Sequence, residues 1–187
     1  MTAIGPAEKS LGSNVRVVYL HGVWVWAALA AFLAAAATGA IALLTRREAL
    51  HRWSRALGRA GLVLWISYLP ISMWAMQANW NGLFLAEPRW RLAVVFAVGG
   101  LMLQIGVSLL EKPAWASAVN FIFVLALFLA LQSVQNVMHP PAPILNSNAP
   151  LIQAYFAVLL ALTLLGAWQM ARWWHHFEGA AVEASRR

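Results

Sequence analysis

Five apolar runs divide this chain, and each is long enough to cross a lipid bilayer as a helix. They extend over approximately residues 15–44, 57–77, 92–110, 116–137 and 151–174. About 20 apolar residues suffice to span the hydrocarbon core. Because backbone polar groups find no water there, each run must satisfy its hydrogen bonds internally, which requires helices. The sequence therefore predicts an all-α, polytopic membrane bundle of about five transmembrane helices.

Composition favours lipid over water as the surroundings of this bundle. Apolar residues make up 62% of the chain and charged residues 10%, whereas soluble domains are roughly 45–50% apolar and about 25% charged. The stretch 121–131 is continuously apolar, which excludes the alternating pattern of a membrane β-barrel. Polar stretches at 1–14 and 175–187 predict short terminal tails on either side of a single transmembrane domain over 15–174.

Thirteen Lys and Arg residues against six Asp and Glu residues give a net charge of +7, which in a soluble protein would suggest nucleic acid as a partner. Here they cluster at the ends of the apolar runs, so they indicate topology and not nucleic-acid binding. Nine lie on the side of the first and third connections and the C-terminal tail, and four lie on the other side. The positive-inside rule then predicts an outward N-terminus, outward loops at 78–91 and 138–150, and a cytoplasmic C-terminus. The expected location is the bacterial cytoplasmic (inner) membrane, with membrane lipid around the chain.

Small residues recur at four-residue spacing along the first helix, at Ala27, Ala31, Ala35 and Gly39. The third run carries a second set, Gly99, Gly100 and Gly106. Both sets favour close helix packing over a functional site.

Histidine is the main candidate for metal chemistry, because the chain has no cysteine and so no thiolate ligand or covalent c-type haem. Three histidines, His51, His175 and His176, lie among basic residues, where a solvated or lipid-phosphate-facing position is expected. His21 lies just inside the predicted outer end of the first helix, and His139 begins the second outer loop. Two imidazoles at this matching depth could ligate one haem iron from opposite faces, or each could hydrogen-bond a neighbouring helix.

The two predicted outer loops differ in character. The first, at 74–91, is rich in aromatic and apolar residues, which predicts a segment that lies in the interface or covers an apolar ligand. In it, Glu87 and Arg89 could pair with each other, or Arg89 could bind a propionate. The second, at 138–150, holds four prolines, which predict a stiff lid beside His139 or a simple hairpin between helices.

The order of these features resembles the haem-handling membrane proteins of cytochrome c assembly, the CcmC and CcsA type with an outward, tryptophan-rich WWD loop. Tyr19-Leu20-His21 is similar to the segment that carries the first histidine of that family. Residues 74–89, which include Glu87-Pro88-Arg89, are similar to its tryptophan-rich loop. Residues 136–140 are similar to the segment with its second histidine. The likeness covers residues 17–174 and rests on order and topology. Where the family has more tryptophans, this loop has 83–86, Leu-Phe-Leu-Ala. The resemblance implies bis-histidine binding of haem b.

The leading hypothesis is a haem-handling membrane protein related to cytochrome c assembly, which binds haem b near the outer leaflet. Its axial ligands would be His21 and His139. Trp80 and Phe84 would pack on the macrocycle, and the site would also include Glu87 and, near a propionate, Arg89. Haem would be delivered to a haem-accepting protein or used in electron transfer, because no nucleophile with a base and no paired carboxylates are evident for catalysis.

The alternative hypothesis is a cofactor-free structural or assembly subunit of a larger membrane protein complex. In that case the polar residues of the apolar runs would serve as hydrogen-bonding groups between helices. These residues are Gln104, Asn120, Gln132 and Gln135.

Overall fold

The computed structural model describes residues 4–110, 112–135 and 142–185, with side chains as far as Glu178. In these ranges five helices follow in chain order: α1 (Val15–Thr45), α2 (Glu48–Trp80), α3 (Pro88–Leu109), α4 (Pro113–Ser133) and α5 (Pro150–Ser185). The same ranges contain no β-strand, only an isolated bridge between Glu8 and Gly12. Each helix is long and apolar enough to cross a membrane. The predicted all-helical class and the predicted number of spans are confirmed.

Successive helices run in opposite directions, so the bundle has two distinct ends. At one end the Asn14 side-chain amide donates to the carbonyl oxygen of Ala78 at 2.7 Å, which joins the start of α1 to the end of α2. We name this the His21 end. At the other end, Trp53 near the start of α2 stacks on His175 near the end of α5. We name this the basic end, because the turn between α1 and α2 and its neighbouring arginines lie there.

The connection between α1 and α2 is much shorter than the sequence indicates. Helix two is predicted from residue 57, whereas α2 begins at Glu48 and leaves only Arg46 and Arg47 between the helices. Arg46 adopts a left-handed φ of 55°, and its amide donates to the carbonyl of Ala42 at 2.7 Å. The sequence predicts a loop for the early turns of α2 because they are rich in arginine. In the structure those side chains pack against α5.

Three other helix bounds differ from those predicted. Helix α3 begins at Pro88 instead of residue 92, because Glu87 caps it. Helix α4 ends at Ser133, before the predicted residue 137. Helix α5 continues to Ser185 and so includes most of the stretch predicted as a C-terminal tail.

A compact aromatic core lies between the first four helices. The rings of Phe32 and Phe123 meet edge to face at 5.2 Å, and Phe32 lies 6.0 Å from Trp65. The indole nitrogen of Trp65 donates to the backbone oxygen of Ala93 at 3.0 Å, which ties α2 to α3. Lipid tails are as apolar as these side chains, so the hydrophobic effect does not drive the helices together in a membrane. Packing and interhelical hydrogen bonds hold them together instead.

The small residues of α1 form its contact face, as predicted. Ala27, Ala31, Ala35 and Gly39 are all buried. A Cβ on Gly39 would lie 2.8 Å from the hydroxyl oxygen of Ser54 and 2.9 Å from the backbone oxygen of Ser117, so only glycine admits this approach. In α3 the prediction holds for one glycine alone: Gly100 is packed, whereas Gly99 and Gly106 face open space.

The outer faces of α3, α4 and α5 are apolar and uncovered. Val95, Ile122 and Leu151 are 67%, 63% and 73% exposed, respectively. A soluble protein rarely leaves contiguous apolar surface of this kind in water. Together with the length of the helices, these faces are those of a multi-pass membrane protein.

The N-terminal stretch of the described residues lies on the bundle at the His21 end. The hydroxyl of Tyr19 donates to the carbonyl of Pro6 at 3.0 Å, and Nε of Arg16 donates to the carbonyl of Gly5 at the same distance. The predicted polar tail therefore packs against α1.

Candidate functional site

His21 lies on the second turn of α1, where it contacts α2. Its ring is half-buried and lies 5.2 Å from the ring of Tyr68, tilted by 52°. One turn further along, the indole nitrogen of Trp24 donates to the hydroxyl of Ser67 at 2.9 Å. Because these two neighbouring contacts join the same pair of helices, the side of α1 that carries His21 is fixed against α2.

Tyr68 is the residue about which the predicted site residues gather. Its side chain is buried, with 6% of its surface exposed. The Ser72 side chain hydrogen-bonds its hydroxyl, and the charges of Glu87 and Arg89 act on it. Among the predicted site residues, His21 therefore contacts this tyrosine of α2, and the two at the start of α3 act on it electrostatically.

Sequence reasoning missed Tyr68, although a signal was present. Tyrosine is uncommon in the middle of an apolar span, and this one precedes Pro70 by two positions. A hydroxyl placed there needs a polar partner from another helix or a bound group.

Glu87 has a definite structural role as the N-cap of α3. One carboxylate oxygen accepts a hydrogen bond from the amide of Trp90 at 2.6 Å, and Pro88 occupies the first helical position. Capping of this kind satisfies an amide that the helix itself cannot pair. Glu87 is 7% exposed, and its second oxygen has no hydrogen-bond partner within the described part of the chain. Arg89 follows on the first turn of α3, so the cap also sets the position of its guanidinium.

Trp80 and Phe84 form an aromatic pair at the same end of the bundle. Their rings meet edge to face with centroids 5.8 Å apart. Asn81 ends α2 with a left-handed φ of 53°, and this turn brings the two rings together. Phe84 is 40% exposed and so presents an apolar face to the surroundings. Their packing on a macrocycle stays a prediction.

His139, the second predicted ligand, lies outside the described residues. The structure resumes at residue 142 and shows the rest of that loop folded back on the bundle. Ile144 packs beside Tyr19 and Phe156, and its Cδ1 lies 3.9 Å from the place where Gly22 would carry a Cβ. The side-chain amide of Gln153 closes the loop by donating to the carbonyl of Leu145 at 3.0 Å. The loop therefore reaches α1 one residue away from His21.

The described residues contain no group of three or more His, Asp or Glu side chains that could hold a metal ion. A bis-histidine site has only two such side chains, so this absence does not test the predicted site. The donors at the His21 end suit haem in kind: an imidazole for iron, a guanidinium for a carboxylate, and aromatic rings for the macrocycle.

The three histidines of the basic end are not alike. His51 was expected in a solvated or lipid-facing position, and this is wrong: it is 5% exposed. Its Nδ1 lies 2.7 Å from the hydroxyl oxygen of Ser117 on α4. His175 stacks on Trp53, and His176 is exposed.

The contact between His51 and Ser117 has the composition of a base and a nucleophile, a pairing that the sequence did not reveal. Ser117 is, however, completely buried. A substrate cannot reach its hydroxyl in this packing, so the pair serves as a hydrogen bond between α2 and α4.

The neighbouring polar residues extend this interhelical network. The side-chain amide of Asn120 donates to the backbone oxygen of Ser54 at 2.8 Å, and that of Gln104 donates to Asn120 at 3.1 Å. The predicted bridging role is therefore seen for Gln104 and Asn120. Gln132 and Gln135 are exposed at the far end of α4.

Comparison with family models, with curated proteins and with solved structures found no match to this chain.

Proposed function

We propose that this chain is an integral membrane haem-handling protein, related to those of cytochrome c assembly, that binds haem b at the His21 end. The observation that carries the proposal is the contact of His21 with the buried ring of Tyr68, on which the charges of Glu87 and Arg89 also act. These four residues come from α1, α2 and the start of α3.

The roles of the residues follow from their chemistry. His21 offers an imidazole nitrogen as an iron ligand, and its ring packs against that of Tyr68. Arg89 offers a fork of donors that matches a propionate carboxylate. Glu87 would act by capping α3 and so holding Arg89 in place. Trp80 and Phe84 supply aromatic surface for the ring edge. When bound, haem would supply electron transfer or be the cargo that is delivered.

The second ligand of the proposal, His139, is within reach of His21 along the chain. Ile144 packs next to α1, and five residue steps separate it from position 139. Five extended residues span at most about 18 Å. This length is an upper limit on the distance between Ile144 and position 139.

The proposed setting is the bacterial cytoplasmic membrane, with the His21 end outward. The charges support this orientation, because positively charged residues are concentrated at the basic end and such ends remain cytoplasmic. The partner would be a haem-accepting protein or another membrane subunit on the outer side.

The absorption spectrum of the purified full-length protein tests the proposal directly. Protein produced in haem-replete cells is expected to show a Soret band, and its haem content is expected to fall at least tenfold in His21→Ala and in His139→Ala. His176→Ala is the matched control, because this exposed histidine lies at the basic end. Folded protein without a Soret band, or equal haem loss in all three variants, would overturn the proposal.

A cofactor-free structural or assembly subunit is the second candidate, and the hydrogen-bonded chain from Gln104 through Asn120 to Ser54 favours it. That chain uses its polar groups for packing alone. Co-purification of a stoichiometric membrane partner, with unchanged yield in His21→Ala and His139→Ala, would select this function over haem handling.

A further inference from the structure

An aromatic stack joins α2 to α5 at the basic end. The indole of Trp53 lies parallel to that of Trp168, with centroids 4.9 Å apart and an interplanar angle of 1°. It also stacks on the ring of His175 at 4.2 Å and 16°. Trp168 and His175 are two turns apart on α5, so the Trp53 ring is inserted between them. The stack gives this end a rigid aromatic surface.

Positive charge exceeds negative charge around the stack. Arg52, Arg55 and Arg59 project from successive turns of α2, and Arg172 projects from α5. Glu178 is the carboxylate that pairs with them: its Oε1 lies 2.6 Å from Nη1 of Arg59 and 3.9 Å from Nη1 of Arg55.

Several buried polar atoms of this cluster have no hydrogen-bond partner among the described residues. They are Nε of Arg52, Nε and Nη2 of Arg55, Nε2 of His175 and Oε2 of Glu178. Buried polar groups are normally satisfied by protein, water or a bound group. Of these residues, His175 also lines the groove that opens beside the stack.

A groove of about 470 Å³ opens beside the stack. Its walls are Trp53, Gln169, Arg172, Trp173, His175 and His176. We name it the Trp53 groove. Along α5 it continues into an uncovered apolar face, on which Leu165 is 58% and Leu162 is 45% exposed. A ligand that fills both must have an anionic head and an apolar tail.

We propose that the Trp53 groove binds an acidic phospholipid, with its phosphate against Arg172 and the two histidines of the groove wall and an acyl chain along α5. Arginine binds phosphate oxygens through paired N–H groups, and tryptophan favours the headgroup level of a membrane. The basic end lies where the helices leave the hydrocarbon, so a lipid phosphate is at the depth of the guanidinium groups. This site is at the opposite end of the bundle from the proposed haem site and is independent of it.

Native mass spectrometry of the full-length protein in detergent tests the proposal with phosphatidylglycerol and phosphatidylcholine of identical acyl chains. Phosphatidylglycerol is expected to be retained in preference to phosphatidylcholine. Arg172→Gln is expected to weaken its retention about fivefold, because a cation near a membrane surface contributes roughly one kcal/mol toward an anionic lipid. Both Arg172 and His176 are exposed, so Arg172→Gln, alone or combined with His176→Gln, leaves the fold intact.

Arg91→Gln is the matched control, since it removes the same charge from an exposed residue at the His21 end. Its retention of phosphatidylglycerol is expected to equal that of the unaltered chain. Equal retention of the two lipids, or the same weakening in Arg91→Gln as in Arg172→Gln, would overturn the proposal. Displacement of the lipid by millimolar inorganic phosphate would also overturn it, because the groove would then be a site for free phosphate.

Discussion

The imidazole Nδ1 of His51 lies 2.7 Å from the hydroxyl oxygen of Ser117, and this hydrogen bond joins α2 to α4 inside the basic end of the bundle. Both residues are buried. In apolar surroundings a polar group that loses its partner keeps the cost of having left water. The stability of the contact between α2 and α4 therefore depends on the single hydroxyl of Ser117.

Ser117→Ala is expected to lower the free energy of unfolding by about 1–2 kcal/mol, because it leaves a nitrogen of His51 buried without this partner. Unfolding of the purified protein by titration with SDS in mixed micelles measures the change. Ser133→Ala is the control, since its exposed hydroxyl donates only to the carbonyl of Ala130 in its own helix. Equal losses in the two variants would contradict the interpretation.

Gly39→Ala is expected to destabilise the bundle by about 1–3 kcal/mol, the usual cost of overpacking. The added methyl would lie 2.8 Å from Ser54 Oγ and 2.9 Å from the backbone oxygen of Ser117, which cannot move aside. Gly106→Ala adds the same methyl to α3, where nothing lies within 4 Å. Thermal unfolding should separate the two variants, and a similar shift in both would show that the approach of the helices is not tight.

Glu87→Ala is expected to lower the free energy of unfolding by about 1 kcal/mol, because the amide of Trp90 loses its cap. Faster hydrogen exchange of the amides in the first turn of α3 is the direct readout. Glu87→Asp should restore most of the protection, since aspartate is an effective N-cap. Unchanged exchange in Glu87→Ala would assign the buried carboxylate a role other than capping.

The contact between Arg59 and Glu178 is expected to show a coupling energy of about 1 kcal/mol in a double-mutant cycle. Both side chains are partly buried, so the coupling should persist in moderate salt, unlike that of a fully exposed pair. Arg59→Gln, Glu178→Gln and the double variant, unfolded in SDS, supply the cycle. Additive losses would show that the ion pair contributes nothing to stability.

The turn at residues 8–12 is expected to open in acid. Hydrogen bonds from the Ser10 side chain and then the Leu11 amide hold the pKa of the Glu8 carboxyl below its ordinary value. Because the pKa is lower in the folded turn, the stabilisation is fully present above the ordinary value and is lost as pH falls through the lowered one. Hydrogen exchange at the Ser10 and Leu11 amides across this acid range measures it, with Glu8→Gln as the variant that should show no such transition.

The helical class and the number of spans could be predicted because both follow from apolar run length, a local property of the chain. The contact face from Ala27 to Gly39 could also be predicted, since a four-residue repeat of small residues is typical of close helix packing. The start of α2 could not be predicted from such a local pattern. Arg55 and Arg59 pair with Glu178 of α5, and no local pattern reports a partner more than a hundred residues away.

The candidate site shows the same division. His21 was conspicuous as an ionisable group in an apolar span, whereas Tyr68 acquired meaning only when the fold placed it against that ring. The burial of His51 depended likewise on Ser117, which has no distinguishing feature in the sequence. Pairs of polar residues on different helices are set by the relative rotation of those helices, and composition does not encode that rotation.

Helix α5 packs against α1 and α2, which both precede it in the chain. Because synthesis runs from the N-terminus, both of its docking surfaces are complete before its first residue is joined to the chain. The Trp53 ring on α2 is therefore in place before Trp168 and His175 are made. Helix α5 can then enter the bilayer against a preformed surface, and a chain truncated before residue 150 would leave the Trp53 ring without its two stacking partners.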